Sequence, residues 1–150
     1  MEVAKSSFGM NITITDNSKE VLEALENAIE RGLDAMGATA EGYAKDVITE
    51  AGRVDTGRMR ASVTHAVAGK PPAQITYMDD QGNSYSYSGS APADPGGSPR
   101  SVYVGTNVEY APYHEMGTSR GIKAIHFLRR AATEHNDEYK SIMKDSLENA

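Results

Sequence analysis

Apolar and polar residues alternate through Met10-Asn11-Ile12-Thr13-Ile14-Thr15, with β-branched side chains on the apolar phase. That pattern predicts a half-buried strand. Asp16-Asn17 ends it, and Asn17 with Glu20 three residues later has the spacing of a capping box that opens a helix. From there the apolar positions Leu22, Leu25, Ile29, Leu33, Met36, Ala40, Tyr43 and Val47 recur at spacings of three and four, which is one stripe of an amphipathic helix. No proline occurs before Pro71. A helix from about Ser18 to Ala51 has roughly 34 residues and a length of ~51 Å, whereas a compact domain of this size is only about 38 Å across. Such a helix overhangs, packs against a neighbouring copy or bends across its own sheet, and Gly32, Gly37 and Gly42 are points where bending or close approach costs little.

Beyond Gly52 the period changes. Arg53-Val54-Asp55-Thr56-Gly57 reads as a turn, and Met59, Ala61, Val63, His65 and Val67 then alternate with Arg58, Arg60, Ser62 and Thr64 as in a strand with one core face. Lys70-Pro71-Pro72 interrupts, and Ile75-Thr76-Tyr77 offers a short return strand. About residues 79–100 the chain is Gly, Ser, Asp, Pro and Tyr without apolar periodicity, which predicts a long flexible excursion, either disordered or ordered by a partner. Ser101 to Val108 restores a strand, a loop runs from Glu109 to Lys123, and Phe127 to Leu147 carries a helical pattern with a defect near Asn136-Asp137. The order of elements predicts an α+β fold: a long N-terminal helix and a C-terminal helix packed on a small antiparallel β-sheet, with a long flexible loop, in a single domain over residues 1–150.

Composition narrows the chemistry. The 150 residues include no cysteine, which excludes disulfide frameworks and thiolate metal sites. No apolar run exceeds three residues, so neither a membrane-spanning helix nor a signal peptide is expected, and the chain is expected to be made and kept in a cytoplasm. The net charge of −6 argues against nonspecific nucleic-acid binding. Its distribution says more: residues 1–52 hold ten acids and four bases, 53–130 six and nine, and 131–150 five and two. Acidic ends around a basic middle fit solvated helix faces, or a polar molecule that associates head to tail with copies of itself.

Candidate reaction centres are sparse. There is no GxGxxG and no Walker loop. His114-Glu115 begins like a zinc-protease helix but lacks a second histidine at the fourth position, and Gly117 argues against a helix there. Asp55, Asp79 and Asp80 are carboxylates without EF-hand spacing. Ser119, His114 and Asp55 form a triad only on paper, with no nucleophile elbow around the serine. His65, in phase with an apolar strand face, reads as a core or interface residue with satisfied ring nitrogens. Arg58 and Arg60 share the other face, and Arg120, Lys123, Arg129 and Arg130 cluster near the last helix.

Three segments stand out together: Val54-Asp55-Thr56-Gly57-Arg58-Met59-Arg60-Ala61-Ser62, the stretch Val102 to Thr118 containing Val104-Gly105-Thr106 and Tyr110-Ala111-Pro112-Tyr113-His114-Glu115-Met116-Gly117-Thr118, and His126-Phe127-Leu128-Arg129-Arg130-Ala131. In this order and spacing they resemble the tail-completion and head–tail joining (neck) proteins of long-tailed siphophages. That family shows D-T-G-x-L-x-x-S, then V-G-T leading to Y-A-x-x-x-E-x-G-T, then P-F-L-x-x-A after a long N-terminal helix. The likeness covers about residues 17–148, with 79–100 as a variable insert. Met59 stands for the usual leucine, Met116 for an aromatic residue and His126 for a common proline.

The resemblance implies a non-enzymatic structural protein of a phage or prophage, located in the virion neck or tail and in the host bacterial cytoplasm during assembly. Its implied partners are itself, as an oligomer such as a hexameric ring, the tail-tube protein and head connector proteins, with DNA only in passage and no cofactor or membrane. A minor capsid or head-closure protein is the alternative station, and a small hydrolase using His114 and Glu115 the alternative from another class. Among the matched residues, Asp55 and Thr56 are expected to bond turn amides and Gly57 to take a positive φ, with Ser62 completing the motif. Glu115 is expected to pair with Arg58 or Arg60, Gly117 and Thr118 to shape the loop, and Phe127 with Leu128 to anchor the last helix. Arg58, Arg60, Tyr110, Tyr113, Glu115, Thr118 and Arg120 are the expected contact residues toward subunits or partners.

Overall fold

A computed structural model describes residues 2–5, 11–70, 75–87 and 99–150. Two short strands, β1 (Glu2–Lys5) and β2 (Asn11–Ile14), pair antiparallel ahead of a single unbroken helix, α1 (Ser18–Glu50). Its 33 residues end within one residue of the expected boundary. The expected capping box does not form. Asn17 makes no side-chain cap bond, and the Asp16 carboxylate instead accepts from the Ser18 amide at 2.9 Å and from the Ser18 hydroxyl, one residue earlier.

The buried face of α1 is Ala28, Gly32, Leu33, Gly37, Ala40, Ala44, Val47 and Ile48, rotated from the expected leucine stripe toward its smallest residues. Small side chains win this face because neighbouring elements come close. A β-carbon added at Gly32 would lie 2.7 Å from the Met143 sulfur, and one at Gly37 2.5 Å from the His65 ring and 2.6 Å from Val102. Gly42 meets no such neighbour.

A turn through Gly57, at φ +80°, leads not into the expected strand but into a short helix, α2 (Arg58–Ser62), and only then into β3 (Thr64–Val67). The Ala61 amide donates to the Gly57 carbonyl at 2.9 Å. Burial follows the helical spacing Met59, Ser62, Val63 and leaves Ala61 half-buried, so the alternation read from the sequence was a coincidence of one turn. Arg58 and Arg60, expected on one strand face, diverge around α2 to different partners.

The small antiparallel sheet is present as three separate two-stranded ribbons. β3 pairs with β6 (Val102–Gly105) in the register His65↔Val104 and Val67↔Val102. β4 (Ile75–Met78) pairs with β5 (Ser84–Tyr87) around a turn at Asp79–Asn83, with Tyr77 opposite Tyr85. Ile75-Thr76-Tyr77 therefore returns against a segment expected to be irregular, and the excursion begins with a hairpin; residues 88–98, like Met10, Pro71 and Pro72, lie outside the described residues. Tyr85 and Tyr77 stack with ring centroids 5.3 Å apart, which stabilises a ribbon that lacks aliphatic alternation.

The expected loop from Glu109 holds a helical turn, α3 (Ala111–Met116), with Pro112 in its first turn and Gly117 as its C-cap. The glycine that argued against a helix terminates one. The final helical pattern divides into α4 (Phe127–Thr133) and α5 (Asn136–Glu148), with the break at Glu134-His135, next to the expected defect. The Tyr139 hydroxyl donates across that break to the Ala131 carbonyl.

α5 runs back along α1: Tyr43 donates to Glu138 and stacks on His135, Met143 covers Gly32, and Ser146 donates to the Ala28 carbonyl at 2.6 Å. The core lies at the opposite half of α1, where Ala44, Val47 and Ile48 meet Met59, Val63, Val108, Ala111, Phe127 and Ala131. Among the described residues no helix is long and apolar enough to cross a membrane.

Candidate functional site

The three resembling segments converge at the C-terminal end of α1. The turn Asp55-Thr56-Gly57 is held from two sides: Thr56 Oγ1 accepts from the Arg58 amide at 3.3 Å, and the Thr56 carbonyl accepts from the Asp80 amide at 2.7 Å. Glycine is required at 57, since an added β-carbon would lie 2.5 Å from the Asp80 carboxylate as well as at positive φ. Ser62 is fully buried and bonds the Met59 carbonyl at 2.6 Å and Thr106 Oγ1 at 2.5 Å, tying the first segment to the second.

The hairpin facing this turn is organised by Asp79, whose carboxylate accepts from the Gln81 amide at 3.0 Å, the Asn83 amide at 2.8 Å, the Asn83 side chain at 3.0 Å and the Tyr85 hydroxyl at 3.3 Å. Burial works against its charge, but these donors prevail and hold its pKa below the ordinary aspartate value. Tyr85 in turn lies beneath the Arg58 guanidinium, 4.5 Å from the ring centroid.

Arg58 pairs with Glu109 at 3.3 Å, and Arg60 pairs with Asp80 at 3.2 Å and donates to Thr49 at 3.2 Å. The expected bond of either arginine to Glu115 is absent. Glu115 instead takes the Leu128 amide at 2.8 Å and the Arg129 amide at 3.1 Å, so its carboxylate caps the start of α4 from thirteen residues away. It does the work that His126, at φ +50° and without a side-chain cap bond, leaves undone. Gly117, at φ +75°, packs against the Ile122–Ala124 backbone, and Thr118 closes the loop by exchanging bonds with Ile122 at 2.9 and 3.2 Å. Phe127 is fully buried and Leu128 packs against the same core, as expected of the anchor.

Arg53 joins the second segment and the loop that follows it to the end of α1. Its guanidinium donates to His114 Nδ1 at 3.0 Å and to the Lys123 carbonyl at 3.0 Å. Burial first, and then the Arg53 charge, lowers the His114 pKa. His114 is thus occupied as an acceptor and Glu115 as a helix cap, and they face different partners. Arg53, Arg58, Arg60, Tyr85, Tyr110 and His114 border a cleft of about 620 Å³ around Gly57. Among the described residues no cluster of His, Cys, Asp or Glu has metal-holding geometry. No hydrogen bond of the Asp55 carboxylate accompanies those of Thr56, so the turn rests on Thr56 rather than on both residues among the described contacts.

On the outside of this scaffold Tyr113, Met116 and Arg120 are exposed, whereas Tyr110 is partly buried against the core. Arg53 and Tyr85 were not among the expected site residues, and Asp80 entered only as a carboxylate without EF-hand spacing. The local pattern gave no sign of them because their partners come from other elements. No protein-family model, curated protein or solved structure matches the chain.

Proposed function

We propose that this chain is a non-enzymatic structural protein of a bacteriophage or prophage that completes the tail or forms an oligomeric ring at the head–tail junction. One observation carries the reading: four polar residues of the first two phage-like segments are used to fix the chain rather than to face a substrate. Glu115 holds two amides of α4, Thr118 holds Ile122, Thr56 holds Arg58, and Ser62 holds Thr106 and the Met59 carbonyl. Side chains used this way define the shape of a surface. Conserving shape is what a docking part requires, and the exposed Tyr113 and Met116 on that rigid support suit contact with a partner.

The proposed partners are further copies of the chain, the tail-tube protein and the head connector, with DNA passing through. The test is deletion of the gene from the phage or prophage that carries it, followed by electron microscopy. Filled heads and unjoined tails are expected, with joined particles restored by supplying the chain in trans. Normal yields of joined, infectious particles without the chain overturn the proposal.

A further inference from the structure

The two ends of α1 carry opposite and unfilled surfaces. At its start, residues 18–27 are all exposed and Ala28 is the first buried position. α5 reaches only to this point, with Ser146 on the Ala28 carbonyl and the helix ending at Glu148. An arm of about 15 Å is therefore left without helical cover. Along it Val21, Leu22 and Leu25 are 61%, 60% and 40% exposed, on neighbouring turns of one face. The arm carries Glu20, Glu23 and Glu26 against the single base Lys19. Glu26 pairs with Arg100, whereas Glu20 and Glu23, toward the far side of the helix from these apolar residues, form no ion pair among the described residues.

At the other end, Arg53 straps α3 and the following loop to the terminus of α1. Tyr113 and Met116, one turn apart on α3, are 54% and 75% exposed, and the Thr118 to Ile122 bond folds the half-open Ile122 back beside them. Arg120 and Lys123 in the loop after α3 and Arg129 in the first turn of α4 are exposed and unpaired among the described residues.

We infer that the acidic, apolar arm of one copy docks on the basic, apolar loop face of the next. The inference rests on the reading of the chain as a self-assembling structural part and names the surfaces that join. Geometry excludes the contact within one chain, because about 40 Å of straight α1 separates Leu22 and Leu25 from the helix end at Glu50. Charge disfavours like with like: two arms would face glutamates with glutamates, and two loop faces would oppose arginine and lysine with the same. Joining two different patches is a heterologous contact, which repeats and closes into a ring when the rotation per copy permits. Tyr113 and Met116 supply the aromatic and flexible apolar anchors that interface centres favour, and the opposite charges set direction.

The test uses the full chain with exposed substitutions that leave the core untouched. The arm variant is Glu20→Lys with Glu23→Lys, the loop variant is Arg120→Glu with Lys123→Glu, and a third protein carries all four. Mass is followed by light scattering after size exclusion over a concentration series, with circular dichroism as the check on folding. Each pair of reversals alone is expected to raise the concentration for half-assembly about tenfold or more, and the four together to restore it. Because the chain has no cysteine, Leu22→Cys and Met116→Cys proteins mixed under mild oxidation are expected to crosslink to each other.

A wild type that assembles while both reversal variants assemble equally well overturns this inference and leaves the ring reading standing. Normal assembly of the loop variant, with Leu22→Cys crosslinking only to itself, means that arm meets arm and also overturns it. A wild type that stays a 16.1 kDa monomer at every concentration removes self-assembly itself, and with it both this inference and the ring.

Discussion

His65 clamps β3 to α1 between two carboxylates, and that arrangement makes stability depend on pH in a stated direction. Its Nδ1 lies 2.7 Å from Glu41 and its Nε2 3.1 Å from Asp34. The hydrogen bond to Glu41 chiefly raises the His65 pKa; burial opposes the rise and Asp34 adds to it. Burial also works against the Glu41 charge, but hydrogen bonds from His65 and Lys45 hold its pKa down. A raised histidine pKa contributes its full stability below the unfolded value of 6.5 and loses it as pH rises through the folded value. A lowered glutamate pKa contributes above 4.5 and is lost as pH falls through its folded value. The clamp is therefore complete between about pH 4.5 and 6.5.

The geometry sets the size of the effect. Glu41 is 24% exposed and shared with Lys45 at 2.9 Å, whereas Asp34 is 70% exposed. A charge-assisted bond to the first is worth about 1.5 kcal/mol and the exposed pair a few tenths, giving about 2 kcal/mol at pH 5.5. At pH 8.5 the neutral ring keeps one N–H donor and about half of that. His65→Gln is expected to destabilise the protein by about 2 kcal/mol at pH 5.5 and about 1 kcal/mol at pH 8.5, read by urea unfolding at both values. In a chain of this length the lower-pH loss corresponds to a melting shift of about 4–8 °C. An equal cost at the two pH values, or a larger one at pH 8.5, refutes the reasoning.

Two further substitutions probe the close approaches and the remote cap. Gly37→Ala gains about 1 kcal/mol of helix propensity but drives a β-carbon to 2.5 Å from His65 and 2.6 Å from Val102. Overpacking of about 1–3 kcal/mol prevails, so a net loss is expected in urea unfolding, with the pH dependence of the clamp weakened as the ring is displaced. Glu115→Ala removes the acceptor of the Leu128 and Arg129 amides and is expected to cost about 1–2 kcal/mol. Glu115→Gln, which keeps one oxygen acceptor, is expected to recover about half in the same assay.

What was legible in the sequence were features whose cause is local. α1 was readable because its periodicity runs over many turns without proline, so every short-range preference agrees. The bend at Gly57 and the loop at Gly117 were readable because only glycine takes those positive φ values without strain. The anchor Phe127 was readable as the largest apolar residue opening a periodic segment, and it is fully buried. His65 was readable as a satisfied histidine, and Asp34 and Glu41, two turns apart on α1, were the signal that would have named its partners.

Tertiary structure decided the rest. Residues 58–62 satisfy strand alternation and helix spacing equally well over so short a span, and the choice falls to the Gly57 carbonyl and to Thr106, which takes the buried Ser62 hydroxyl. The β4–β5 hairpin rests on Tyr77 and Tyr85 and on the Asp79 turn rather than on an apolar face. Glu115 left no trace as a helix cap because the amides it holds lie thirteen and fourteen residues ahead. Sequence by itself determined the α+β class, the span of the long helix and the glycine-shaped turns, since these depend on periodicity and backbone sterics. Which carboxylate meets which cation, which face of α1 is buried, and which end of it stands open were decided only when distant segments met, because burial and pairing belong to the assembled set of neighbours.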